Sequence, residues 1–162
     1  MLKRILLAML FLLLSSSAQA QNNSIFLEGG GNGAVYSLNY ERVIDGKIGL
    51  RAGWSGIKLT DEVDATAEYT VQFIPVIGTL MWGGNHKLEI GGGVTFVKVD
   101  GTISIGGTDF TGSGSGNVQT GVLGYRYQKS DSSGLLFRAS YTPIRIAGSL
   151  VQWGGVSLGY SF

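Results

Sequence analysis

Apolar and polar residues alternate with a period of two along almost the whole chain after residue 20. In the run 87–96, Leu88, Ile90 and Phe96 share one face, whereas Lys87 and Glu89 share the other with glycines and a threonine. This period places successive side chains on opposite faces of a β-strand. No stretch after residue 20 shows sustained helical periodicity, so the pattern predicts an all-β protein.

The connections between the alternating segments differ in length. Short turns are predicted at 44–46, 83–85 and 129–134, and longer polar connections at about 59–67, 100–115 and 144–150. A further tight turn at Gly30-Gly31-Asn32-Gly33 divides the first segment, because glycine and asparagine tolerate positive φ. If 24–43 were one bent strand, the count would be seven. The predicted strands are 22–30, 33–43, 46–58, 67–82, 86–100, 115–128, 134–146 and 150–162.

The first 20 residues have the features of a cleaved secretory signal peptide. Lys3 and Arg4 precede an apolar run at 5–14, and Ala18-Gln19-Ala20 supplies the small-x-small cleavage pattern. The mature domain is therefore expected to span 21–162. An uncleaved anchor is the alternative, although a spanning helix needs about 20 apolar residues. No cysteine follows the cleavage site, which argues against a lipoprotein.

The residues on the two faces indicate which way the barrel is turned. The polar face carries a charged residue or glycine in nearly every segment, which suits a narrow polar lumen. Aromatic residues on the apolar face lie near segment ends, as in the girdles of membrane barrels: they are Tyr36, Tyr40, Trp54, Tyr125, Tyr127, Tyr141, Tyr160 and Phe162. We therefore predict an eight-stranded antiparallel up-and-down transmembrane β-barrel in the outer membrane of a Gram-negative bacterium, with both termini in the periplasm. A soluble exported barrel is the alternative.

The chain resembles the small eight-stranded outer-membrane proteins of the OmpA/OmpX type. The resemblance rests on the Ala18-Gln19-Ala20 signal end, the eight alternating segments and the closing Gly159-Tyr160-Ser161-Phe162. It implies that the barrel-assembly machinery reads the last strand, with Tyr160 and Phe162 as the assembly signal. A simple girdle role for Phe162 is the plain alternative. We expect no C-terminal peptidoglycan-binding domain.

Seven charged residues fall on the polar face of their strands, which is predicted to point into the lumen. An eight-stranded barrel is only wide enough for its own side chains, so we expect these groups to pair and to close the lumen. A gated ion path through them is the alternative. The residues are Glu28, Glu41, Arg51, Lys87, Glu89, Arg126 and Arg138.

Composition argues against several other functions. Without Lys3 and Arg4, ten basic residues face 11 acidic ones, which is no footprint for nucleic acid. The chain has no cysteine for a disulfide, and its one histidine, His86, lies at a predicted periplasmic turn. The glycine clusters do not lie between a strand and a helix, so they are not phosphate loops. We therefore expect neither an enzyme nor a cofactor or metal site.

The predicted external segments carry the candidate binding features. The residues Asp61, Glu62, Asp64 and Glu68 form an acidic loop, which is either solvated or a weak cation site. The stretch 100–116 is predicted to be a projecting hairpin with a flexible limb at 112–116.

Lys58, Lys98 and Arg145 take the lipid-facing parity near external strand ends. They are candidate contacts for lipopolysaccharide phosphates, although snorkelling is the alternative. After Phe96 the alternation inverts at 97–99, which predicts a bulge or a strand that leaves the membrane.

Three hypotheses about function follow. The first is a closed barrel that acts as a structural or surface-interaction protein. The second is a narrow pore for small solutes or ions. The third is a soluble exported barrel that binds a ligand.

Overall fold

A computed structural model describes residues 23–61, 66–105, 108–129, 133–146 and 148–162. The predicted signal peptide lies outside the described residues. The strands are β1 (Asn23–Gly30), β2 (Tyr36–Ile44), β3 (Ile48–Asp61), β4 (Thr66–Gly83), β5 (His86–Ile105), β6 (Thr108–Gln128), β7 (Gly134–Tyr141), β8 (Ile144–Ile146), β9 (Ser149–Val151) and β10 (Gly154–Ser161). One turn of 3-10 helix, Gly31–Gly33, joins β1 to β2.

Eight of these strands close into one antiparallel ring in the order β1-β2-β3-β4-β5-β6-β7-β10. The ring closes where β1 pairs with β10, and the last residue continues this ladder through Phe162 N–H to Asn23 O at 2.9 Å. The predicted eight-stranded antiparallel barrel is therefore confirmed. The first hairpin is also confirmed, since β1 and β2 are separate strands paired from Asn23↔Arg42 to Gly29↔Tyr36.

The last two predicted strands are each interrupted. Strand β7 stops before Thr142 and Pro143, and the chain resumes as β8, which pairs with β9 in a small hairpin. Proline has no backbone N–H to donate to a ladder. Its carbonyl still accepts from Gly121 N–H at 2.8 Å, so this side hairpin stays attached to β6.

The two ends of the barrel differ in construction. The termini and the short turns at Asp45–Lys47 and Gly84–Asn85 share one end. At the other end, here called the far end, β3 to β6 extend well beyond β1 and β2.

The long polar connections predicted at 59–67 and 100–115 are largely wrong. Strand β3 continues to Asp61 and β4 begins at Thr66, while β5 and β6 leave only residues 106–107 between them. The predicted flexible limb is strand as well, because Gly112 to Gly116 pair with Gly101 to Val97. Backbone pairing needs no side chain, so glycine and serine were a poor guide here. Residues 62–65 of the acidic loop lie outside the described residues.

Burial shows that the barrel is polar inside and apolar outside. Of the described residues, six apolar side chains and nineteen polar or charged ones are buried, whereas the aliphatic and aromatic side chains of the outward parity are largely exposed. This is the opposite of a soluble core and matches a barrel whose apolar face meets lipid. Among the described residues, no helix is long and apolar enough to cross a membrane.

Glycines on the two faces differ in the space around them, which gives a test of this orientation. A Cβ at Gly93 would lie 2.9 Å from Ile77 Cα and against Val76 O, whereas one at Gly78 meets nothing within 4 Å. We expect Gly93→Val to lower the free energy of unfolding by about 1–3 kcal/mol. Gly78→Val is the matched control and should change it by less than about 0.5 kcal/mol. Urea unfolding in lipid vesicles measures both, and equal losses would contradict the assignment of faces.

Candidate functional site

Six charged side chains form one network of alternating sign across the lumen, here called the ion-pair network. Each comes from a different strand, and each is at most 2 % exposed. Three are acidic and three are basic, so the network is neutral as a whole. In order of contact its members are Glu41, Arg126, Glu89, Arg138, Glu28 and Arg51.

Arg138 is the centre of the network because it binds two carboxylates. Its Nη1 lies 2.6 Å from Glu28 Oε1, and its Nε pairs with Glu89 Oε1. Glu28 also lies 3.6 Å from Arg51 Nη1. At the other end of the network, Arg126 Nε lies 3.4 Å from Glu89 Oε2, and its Nη2 pairs with Glu41.

Strand register explains why Glu89 is needed. Arg126 and Arg138 are direct partners across the β6–β7 ladder, so two like charges point into the lumen side by side. Like charges in that position destabilise a sheet. Glu89, on β5, offers one carboxylate oxygen to each arginine. Its single charge therefore compensates a repulsion that the strand register imposes.

Lys87 is the seventh residue predicted for the lumen. It is only 5 % exposed and pairs in register with Arg126. Among the described residues it makes no ion pair. The structure thus places all seven predicted residues inside the barrel and brings six of them together.

The turn between β1 and β2 folds into the barrel and caps the network. Gly31, Asn32 and Gly33 are buried, and we call them the lumen plug. The Asn32 side chain accepts from Arg51 Nη2 and donates to Thr120 Oγ1, and Thr95 Oγ1 donates to Asn32 O at 2.9 Å. The sequence predicts a turn here, but neither the inward course of that turn nor the role of Asn32.

Two glycines allow the plug to pass so close to the wall. Gly31 has φ +71°, and a Cβ there would meet the Glu28 carboxylate. A Cβ at Gly33 would meet the Ser37 side chain. A glycine-rich turn directly after a buried glutamate was the available sequence signal, because glycine permits close backbone approach.

The three predicted phosphate-binding cations are exposed on the outward face near the far end. Lys58 lies on β3, Lys98 on β5 and Arg145 on β8. One strand separates each of these from the next, β4 in the first case and β6 in the second. Lys98 pairs with Asp100 at 2.9 Å, whereas Lys58 and Arg145 make no ion pair among the described residues. The structure therefore does not gather Lys58, Lys98 and Arg145 into one cluster.

The remaining predicted residues lie near the end that holds the termini. Tyr160 and Phe162 point outward and are 50 % and 47 % exposed, where they fit the aromatic girdle. His86 begins β5 and is exposed, with its Nδ1 beside Tyr125 OH and its ring 5.1 Å from that of Tyr127. The part of the chain that the structure describes holds no cluster of three metal-ligating residues.

Comparison with known proteins identifies the fold. No family model and no curated protein matches the chain. The N-terminal β-barrel domain of Pseudomonas aeruginosa OprF matches with a TM-score of 0.56 and 14% identity over 89% of this chain and 100% of that chain. Ail, the attachment invasion locus protein of Yersinia pestis, matches with a TM-score of 0.53 and 13% identity over 87% of this chain and 97% of that one. The fold is that of the small eight-stranded outer-membrane barrels.

Ail also matches in a second structure, a complex with the heparin analogue sucrose octasulfate. There the TM-score is 0.54 and the identity 14%, over 86% of this barrel and 96% of that chain. At such identities the likeness concerns the fold alone.

Removal of Arg138 should cost more stability than removal of any exposed cation. Arg138→Met leaves Glu28 and Glu89 buried without their main partner, so we expect a loss of about 3–5 kcal/mol in the free energy of unfolding. The matched control is Arg145→Met on exposed β8, with a change below about 0.5 kcal/mol. Urea titration followed by tryptophan fluorescence measures the difference.

A compensating variant checks the cause of that loss. Glu89→Gln in the Arg138→Met background restores a neutral network, with the pairs Glu41–Arg126 and Glu28–Arg51, and should recover part of the stability. If Arg138→Met unfolds at the same urea concentration as the unchanged protein, the network is not what stabilises the barrel.

Proposed function

We propose that this protein is an integral outer-membrane barrel with a closed lumen, acting as a structural and surface-interaction protein. The observation that carries the proposal is the neutral ion-pair network beneath the lumen plug. It fills the lumen with buried side chains from six strands. An eight-stranded barrel has no further width for a water-filled path.

The energetics of the network also favour a closed state. An ion that crossed the lumen would have to separate pairs whose members are at most 2 % exposed. Each separated charge would remain in a confined, poorly solvated space, at a cost of several kcal/mol. The hydrogen bonds that tie Asn32 to Arg51 and Thr120 would have to open as well.

The far end supports the surface role. On β5 the outward apolar run from Leu88 to Phe96 is nine residues long, which matches the roughly 9–11 residues with which a tilted strand crosses the apolar part of a membrane. Lys98 and Asp100 follow it on the same face and are ion-paired. We infer that β3 to β6 project beyond the membrane from this level, where they present their edges and faces to the outside.

Conductance measurements test the closed lumen. Reconstituted into planar lipid bilayers, the barrel should give no sustained unit conductance. Sustained openings that disappear on neutralising Arg51 or Arg138 would overturn the closed-lumen proposal in favour of a narrow pore.

The exposed cations lead to a separate prediction about lipopolysaccharide. We propose that Lys58 and Arg145 contact its phosphates more strongly than Lys98, which is already paired with Asp100. Added lipopolysaccharide should raise the unfolding midpoint of the unchanged protein more than that of Lys58→Glu/Arg145→Glu, and salt should reduce the difference. Lys129→Glu, an exposed change at the opposite end of the barrel, is the control. An equal rise in all three proteins would contradict these contacts.

A further inference from the structure

The inward face of the barrel changes from charged to apolar at the lumen plug. Between the plug and the end that holds the termini, the inward positions carry the ion-pair network. Toward the far end, beyond Thr95 on the same face of β5, they carry Val97 and Val99. These valines line a cavity at the far end, here called the apolar cup. Its other apolar walls include Phe73, Val118, Ile144 and Trp153.

The outward face changes in the opposite sense at the same level. Lys58, Gln72, Lys98 and Asp100 take the outward parity there, with Lys98 paired to Asp100. The register of β5 with β4 is unbroken from Thr66↔Ser104 to Gly83↔Lys87, so no bulge causes the inversion of the sequence pattern after Phe96. The barrel wall therefore continues beyond the apolar band with its polar side outward and its apolar side inward.

The cup is a preformed space that the described side chains do not fill. Its volume is about 520 Å³, and Asn32 and Thr95 belong to its floor. Among the residues that the structure describes, no charged side chain lines it. Gly114 and Gly116 line one wall, and a Cβ at either position would meet nothing within 4 Å. Val99 and Trp153 remain 37 % and 42 % exposed at this polar end of the barrel.

We propose that the apolar cup binds one hydrocarbon chain of an amphiphile. Ligand pockets measure about 300–1,000 Å³, and apolar cavities as small as about 150 Å³ stay dry and accept hydrocarbon. The lining without charged groups selects an uncharged aliphatic segment, because a buried charge would have no partner. Because the cup is closed at its floor, it suits the end of one hydrocarbon chain better than a helix or a strand of a polypeptide. A polar headgroup stays in water at the rim. This site does not depend on whether the lumen conducts.

Trp153 allows the site to be tested directly. In the variant Trp54→Phe/Trp82→Phe, Trp153 is the only tryptophan that remains of three. Terminally brominated dodecanoic acid, titrated onto this protein in lipid nanodiscs, should quench Trp153 fluorescence to saturation. Gly116→Phe, which fills the cup, should weaken the apparent affinity at least about tenfold, since loss of one well-packed apolar ligand segment is worth about that factor.

Gly112→Phe is the matched control. It adds the same ring on the same strand and face, also in open space, but Gly112 does not line the cup. Its titration should match that of the parent variant. If Gly116→Phe fails to fold, as judged by urea unfolding, Val97→Asn replaces it and should also weaken binding. Quenching that rises linearly with the probe, or is equal in all variants, would overturn the proposal.

A second arm distinguishes the source of the hydrocarbon. Nanodiscs made with a phospholipid brominated on its acyl chain contain no free fatty acid. Quenching of Trp153 there that Gly116→Phe abolishes would support a chain supplied by a membrane lipid. Saturable quenching by the fatty acid alone would support a free amphiphile from outside.

Discussion

The structure depends on one constraint: in a closed ring of eight strands, a charge in the middle of the lumen must find its partner among the other inward groups. On the terminal side of the lumen plug, the barrel has no free inward space into which a charge can turn toward solvent. Glu89 illustrates the consequence, since it compensates two arginines that the β6–β7 register places side by side. The same constraint explains why Arg138 reaches carboxylates on β5 and β1 rather than a sequence neighbour.

The lumen plug divides the barrel interior into two environments. Between Asn32 and the end that holds the termini, the inward face carries acidic and basic side chains that neutralise one another. Between Asn32 and the far end, the inward face is apolar and encloses the cup. Asn32 belongs to both, because it bonds to Arg51 of the network while forming part of the floor of the cup. One glycine-rich turn therefore both covers the ion-pair network and forms part of the floor of the cavity that we propose as a binding site.

The alternation of apolar and polar residues is sufficient to predict most of the architecture. It fixes which side chains of a strand point inward, and the closure of a barrel then allows few arrangements of the strands. It placed Glu28, Arg51 and Glu89 on one face without any knowledge of pairing. It did not reveal which acid meets which base, since contacts between β1, β5 and β7 depend on register and not on local sequence. Composition alone predicts a flexible limb for the Gly-Ser run at 112–116, because it does not report the strand that pairs with this run. The inward fold of Asn32 likewise depends on long-range hydrogen bonds.

Heat-modifiable migration tests the central account, a closed barrel that resides in the outer membrane. Outer membranes isolated from cells that express the protein are analysed on SDS gels with and without boiling. A barrel whose ladder closes through Asn23 and Phe162 should resist SDS at room temperature and migrate differently until it is boiled. Recovery of the protein in the soluble periplasmic fraction, or identical migration before and after boiling, would contradict the account.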